Sequence, residues 1–146
     1  MNSLTDIVRT NYKEHGLNCS ESIIRGANEF YHLNLHDEDM KMLSGFGSGM
    51  YVGSVCGALV ACNAVISKLI VSDKAHSHLD ALRPSSALLH QNFRQAANHS
   101  DCAKIKPNFY SKEEKCLKTV TMASEVLEKT ISELVDQGLI HLDLKD

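Results

Sequence analysis

Ser111-Lys-Glu-Glu-Lys-Cys-Leu-Lys-Thr-Val-Thr-Met-Ala-Ser-Glu-Val-Leu-Glu-Lys-Thr-Ile-Ser-Glu-Leu-Val-Asp-Gln-Gly138 is the stretch that decides the fold. Cys116, Val120, Ala123, Leu127, Ile131 and Leu134 recur at steps of three and four, which places them on one face of an α-helix. Ser111 with Glu114 has the form of a capping box, a hydroxyl acceptor with an acid three residues later. Gly138 supplies the residue that tolerates the left-handed backbone of a helix end. A helix bounded by these signals is long and buries one face, so the rest of the chain must provide partners for it.

Those partners read as helices too. Residues from about Ser3 to His15 are amphipathic and stop at Gly16. Asn18-Cys19-Ser20-Glu21 is a second capping box, followed by Cys19, Ile23, Ala27 and Phe30 at helical spacing. Asp37 opens a short helix to Leu43, and Ser72 or Asp73 opens another to about Leu82, which Arg83-Pro84 is expected to break. Ser85 or Ser86 restarts a helix carrying Leu88, Leu89, Phe93 and Ala96 to about Asn98. Ser100 or Asp101 caps a short turn containing Cys102 and ending at Pro107. With two prolines, few aromatics and little β-branched alternation, the expectation is an all-α fold, a compact multi-helix bundle forming a single domain over residues 1–146.

Between these elements lies Gly45-Phe-Gly-Ser-Gly49-Met-Tyr-Val-Gly53-Ser-Val-Cys56-Gly57. It fits neither G-x-G-x-x-G nor a Lys-bearing phosphate loop. Gly49, Gly53, Gly57 and Ala61 do recur every fourth residue, which on one helix makes a flat, side-chain-poor ridge. The expectation is a central, buried, glycine-rich helix. Its ridge, at Gly53 and Gly57 above all, would let a cofactor or a second helix approach the backbone closely. A homodimer through that ridge is one consequence.

Bulk properties narrow the function. Lys and Arg total 15 against 18 Asp and Glu, with no basic patch or interleaved aromatics, so nucleic acid is not an expected partner. The apolar run from Met50 to Ile66 is interrupted by Ser54 and Asn63 and falls short of the about 20 residues a membrane span needs. Met1 to His15 lacks the basic-then-apolar pattern of a signal peptide, giving a cytoplasmic expectation. In that compartment cysteines are seldom structural disulfides, and an odd count of five leaves at least one unpaired.

Cys19, Cys56 and Cys102 stand near expected helix starts, and Cys116 lies within two turns of one. A helix N-terminus offers unpaired N–H groups and the positive end of the macrodipole, which favour a thiolate. Cys62 differs. Six residues beyond Cys56 on one helix, it is turned roughly 120° away and reads as core packing. No C-x-x-C pair exists, so neither a thioredoxin-like dithiol nor a zinc ribbon is indicated. Of the eight histidines, His76-Ser-His78 is a weak signal, and only His99, three residues before Cys102, is retained as a neighbour able to acidify a thiol.

Asn-Cys at a helix start, Gly-Phe-Gly-x-Gly leading to Cys56-Gly57-Ala58, and two later isolated cysteines together resemble the C_GCAxxG_C_C family of redox-active proteins. The resemblance runs over roughly residues 3 to 135, and the Cys56-Gly57-Ala58 block is its specific part. It implies a helical fold and a redox role for Cys19, Cys56, Cys102 and Cys116. It also implies an iron–sulfur centre or electron transfer in relatives, some of which are joined to haem-binding segments. Haem does not carry over, because the chain has no C-x-x-C-H. The motif's closing glycine is Ala61 here, followed by the extra Cys62.

Two uses of these four thiols are expected: an iron–sulfur or other thiolate-bound metal site, or a dithiol/disulfide couple working with a redox partner. Four cysteines match the ligand count of common clusters, which favours the first. The competing class is a non-catalytic helical interaction module with inert cysteines. A packing module has no reason to place thiols at helix starts, where cysteine is not a favoured cap.

Overall fold

The computed structural model describes residues 2–142, and among them seven α-helices and no sheet are formed. They are α1 (Leu4–Glu14), α2 (Cys19–Tyr31), α3 (Asp37–Met40), α4 (Gly57–Ile70), α5 (Leu79–Ala97), α6 (Cys102–Phe109) and α7 (Leu117–Asp136). The all-α expectation holds. Helix α4 lies in the middle, packed by α2, α5 and α7, while α1 covers α2 and α7 from outside. Its residues Ala58, Leu59, Ala61, Cys62, Val65 and Ile66 are buried, and Ile23, Phe93, Leu127 and Ile131 close around them. Asn92 of α5 donates to Thr130 Oγ1 and Glu133 Oε1 of α7, both at 2.9 Å, so the polar group inside this contact is satisfied.

Capping follows the sequence closely at three ends. Ser3 and Asp6 close a capping box on α1, and Asn18 with Glu21 closes one on α2. At the far end of α7, Gly138 at φ +76° lets its own N–H reach the Val135 carbonyl and the Leu139 N–H reach Leu134. That is a Schellman stop, which satisfies carbonyls that the helix cannot.

The glycine-rich helix is not formed as expected. Gly57 and Ala61 lie on α4, but Gly49 (φ +62°) and Gly53 (φ +74°) belong to a left-handed stretch before it. Ser48, Met50 and Tyr51 share that conformation, with φ between +51° and +60°. A right-handed helix cannot run through left-handed residues, so the four small residues never share one face. Gly57 and Ala61 are covered inside the chain, leaving no continuous ridge for a second copy.

Other boundaries move. Pro84 lies inside α5 rather than between two helices. An interior proline costs about 3 kcal/mol, whereas each large side chain fully buried contributes about 1.5–3 kcal/mol. Leu89 and Phe93, both at 0 % exposure, together outweigh the penalty. Pro107 likewise falls within α6, and His36 rather than Asp37 occupies the cap position of α3, with Asp37 its first residue. Helix α7 starts at Leu117. Ser111 still accepts from the Glu114 N–H, but within a turn closed by reciprocal Ser111 and Lys115 backbone bonds, and Lys115 at φ +54° interrupts the helix. Cys116 thereby becomes the residue that caps α7 instead of the first member of its stripe.

Candidate thiol centre

Four helices present a cysteine at their first position or at the cap before it: Cys19 on α2, Cys56 before α4, Cys102 on α6 and Cys116 before α7. All four line one small, partly open cavity of about 10 Å³, together with Ser48, Gly57, Ile105, Lys106 and Thr119. Cys62, the fifth cysteine, does not. It is fully buried beside α7, its sulfur 3.6 Å from the Ala123 carbonyl oxygen, in keeping with a packing role.

Local backbone explains how the starts converge. Val55 and Asp101 pair as an isolated antiparallel bridge, with Cys56 N–H donating to Ser100 O at 2.8 Å and Cys102 N–H to Ser54 O at 2.6 Å. This tie fixes the starts of α4 and α6 side by side. Asn18 fixes the third: its Oδ1 caps α2 while its Nδ2 donates to Ser44 O at 2.9 Å and Tyr51 Oη at 3.0 Å. The left-handed stretch is thus clamped onto the helix that carries Cys19. Tyr12 of α1 fixes the fourth by accepting the Cys116 N–H at 3.0 Å.

Glycines make room for the sulfurs. A β-carbon on Gly49 would stand 2.5 Å from the Ser54 backbone and 2.8 Å from Cys102 Cβ. One on Gly57 would strike the Phe46 carbonyl and lie 3.1 Å from Cys19 Sγ. Gly57 lines the cavity; Gly53 does not, and faces Ala103 outside it. His99 is absent from the lining too.

The expectation of acidified thiols is reversed. Burial pushes Cys19 and Cys116 above the ordinary thiol value, and pushes Cys56 up to about 12. Backbone N–H groups of Ser48 and Ser20 at Cys19, and of Leu59 and Ala58 at Cys56, act in the opposite direction. Magnitudes decide between the two. Moving a thiol from 9.0 to about 12 amounts to about 4 kcal/mol against its thiolate. A helix terminus offers about 0.3–2 kcal/mol. Desolvation wins at Cys56, which holds its proton near neutral pH.

The donor set fits a soft metal, since thiolates bind iron, zinc and copper(I) in preference to hard ions. The N–H groups aimed at Cys19 and Cys56 are the donors that metal-bound thiolates use. The volume is narrower than the donor set. About 10 Å³ holds roughly one water-sized atom, which accommodates a single ion, whereas an iron–sulfur cluster requires the walls to part. Among the described residues no three Cys, His, Asp or Glu side chains stand at ion-binding spacing, so the sulfurs must draw inwards to ligate.

Sequence reading missed Tyr12, Ser48, Lys106 and Thr119. Only the density of glycines around Ser48 hinted that its backbone has an unusual task. Tyr12 and Lys106 carry no local signal, because their roles arise from contacts across the bundle.

A family model described as "Putative redox-active protein (C_GCAxxG_C_C)" matches residues 17–130, more than three quarters of the chain. The chain belongs to this family. The match begins two residues before Cys19 and ends within α7, so it contains all four cavity cysteines. No curated protein and no solved structure matches the chain. Among the described residues no helix is long and apolar enough to cross a membrane.

Proposed function

We propose that Cys19, Cys56, Cys102 and Cys116 act together as a redox centre that takes up a soft metal through thiolates and serves electron transfer. One observation carries this reading: four separate helices each bring a cysteine at their start to one cavity. A core needing only apolar filling gains nothing from four thiols, two lone N–H ties and a strained loop around so small a space. Metal also answers the protonation problem, because a coordinating cation deprotonates a thiol that burial alone keeps neutral. The cavity's size favours one ion, such as a single iron, over a cluster. Lys106 at the wall supplies positive charge against the excess negative charge of four thiolates.

The test is anaerobic reconstitution of the reduced chain with ferrous iron, with and without sulfide, followed by absorbance and by iron and labile-sulfide analysis. One iron and no sulfide per chain supports a single-ion centre. Iron and sulfide in equal numbers support a cluster, and require the loop around Ser48 to have moved. A chain that takes up no metal but loses two hydrogens on mild oxidation points to the dithiol/disulfide couple. Failure of both leaves the inert helical module as the better account.

A further inference from the structure

A second, open depression of about 280 Å³ adjoins the thiol cavity and shares Cys19, Ser48 and Cys116 with it. Tyr12, Asn18 and Lys115 complete its polar wall. Cys116 is half-buried, whereas Cys19, Cys56 and Cys102 are 8 %, 3 % and 8 % exposed, so Cys116 is the sulfur that a visitor reaches first. Tyr12 accepts from the Cys116 N–H and its side chain also hydrogen-bonds the Cys116 side chain, while Lys115 lines the depression and the Lys106 charge acts on the Cys116 sulfur from the adjoining cavity. Asn18 is already committed to its cap and to the loop. No carboxylate lines the depression, although the chain carries a net charge of −3. Its volume lies at the lower end of ligand sites, suited to a molecule smaller than a drug.

We infer that this cleft is a binding site for small anionic thiol compounds, which meet the centre at Cys116. The inference rests on the four thiols being the functional centre and adds the class of molecule that reaches them. In the metal-free, reduced protein the encounter has a simple chemistry. The Cys116 sulfur attacks one sulfur of a small disulfide, the disulfide bond breaks, and a mixed disulfide forms at Cys116. The departing thiolate takes up the proton that Cys116 gave, so the small molecule is reduced as Cys116 is oxidised.

The experiment treats the metal-free, reduced full chain with dithiodiglycolate, which is anionic, or cystamine, which is cationic. Adducts are located by peptide mass spectrometry, and each rate is divided by that of a short unstructured cysteine peptide. The expected result is first modification at Cys116 and a normalised preference of about tenfold for the anion, because one charge acting across roughly 6 Å of water attracts the anion about threefold and repels the cation about threefold. Lys115→Gln should reduce the preference about threefold, leaving the contribution of Lys106, and Lys115→Arg should keep it, with circular dichroism verifying that both are folded. Equal normalised rates overturn the inference. So does first modification at Cys19, Cys56 or Cys102, or no Cys116 adduct once the peptide has reacted fully. Metal uptake without anion preference removes the cleft alone; anion preference at Cys116 without metal uptake removes the metal centre alone.

Discussion

Gly57 packs so closely on Cys19 that a β-carbon there would lie 3.1 Å from the Cys19 sulfur and would drive into the carbonyl of Phe46. A backbone carbonyl cannot swing aside as a flexible side chain does. Gly57→Ala is therefore expected to destabilise the protein by about 1–3 kcal/mol, the usual cost of overpacking, and to disturb the thiol cavity. Gly45→Ala is the control: nothing stands within 4 Å of that position, so no loss is expected. Urea unfolding of both variants checks this, and a Gly57→Ala protein as stable as the parent contradicts it.

Cys56 and Cys62 share one helix region yet should respond in opposite ways. Cys62 is sealed in the core against α7, so Cys62→Ala should cost about 1–2 kcal/mol of stability and leave metal uptake intact. Cys56→Ser keeps a similar volume in the cavity wall but removes a thiolate, so it should lower metal content while changing the unfolding midpoint little. Metal analysis beside denaturation curves separates the two. Equal metal loss in both would place Cys62 in the centre.

Alkaline pH should weaken the metal-free protein. Burial raises the Cys56 thiol to about 12 from an ordinary 9.0, and raises Cys19 and Cys116 in the same direction. Between pH 9 and about 12 the unfolded chain has lost protons that the folded chain keeps, so the unfolded state gains on the native one as pH rises. Stability from this source is complete below pH 9 and falls through that window. Unfolding curves at pH 7.5, 9 and 10.5 measure it; Cys56→Ser should flatten the decline, and an unchanged slope would count against a buried, protonated Cys56.

Metal uptake should be strongly pH-dependent for the same reason, because each ligating thiol must release its proton. Titration with zinc in weak buffer should liberate protons, and affinity should rise from pH 6.5 to 8. Uptake that releases no protons would show that the sulfurs are not the ligands.

Tyr12→Phe removes the acceptor that holds the Cys116 N–H and should cost about 1 kcal/mol, since α1 and the start of α7 lose their link. The Cys116 amide should then exchange faster in hydrogen-exchange measurements, while amides in the middle of α4 stay protected. Uniform acceleration throughout the chain would indicate global loosening instead of a local anchor.

Much of this architecture was legible locally. The capping box at Asn18, the apolar stripe from Val120 to Leu134 and the stop at Gly138 all describe interactions within a few residues. The thiols were legible as candidates for the same reason: Cys19, Cys102 and Cys116 sit near local capping signals, and Cys56 lies in the glycine-rich run. Misreadings cluster where a distant contact overrules a local preference. Pro84 stays helical because Leu89 and Phe93 are buried against other helices, and Cys116 caps α7 because Lys115 turns left-handed and Tyr12 holds the amide beyond it.

The sequence by itself determined the helical period, most of the caps and which residue types could do thiol chemistry, because those depend on neighbours three or four residues away. Only the tertiary structure decided that Cys19, Cys56, Cys102 and Cys116 share one cavity, that Gly49 and Gly53 turn left-handed instead of extending a helix, and that burial raises the thiols of Cys56, Cys19 and Cys116. Convergence requires the Val55–Asp101 bridge and the Asn18 and Tyr12 hydrogen bonds, each joining segments distant in the chain. The raised thiols follow from burial, which exists only once those segments have closed around the sulfurs.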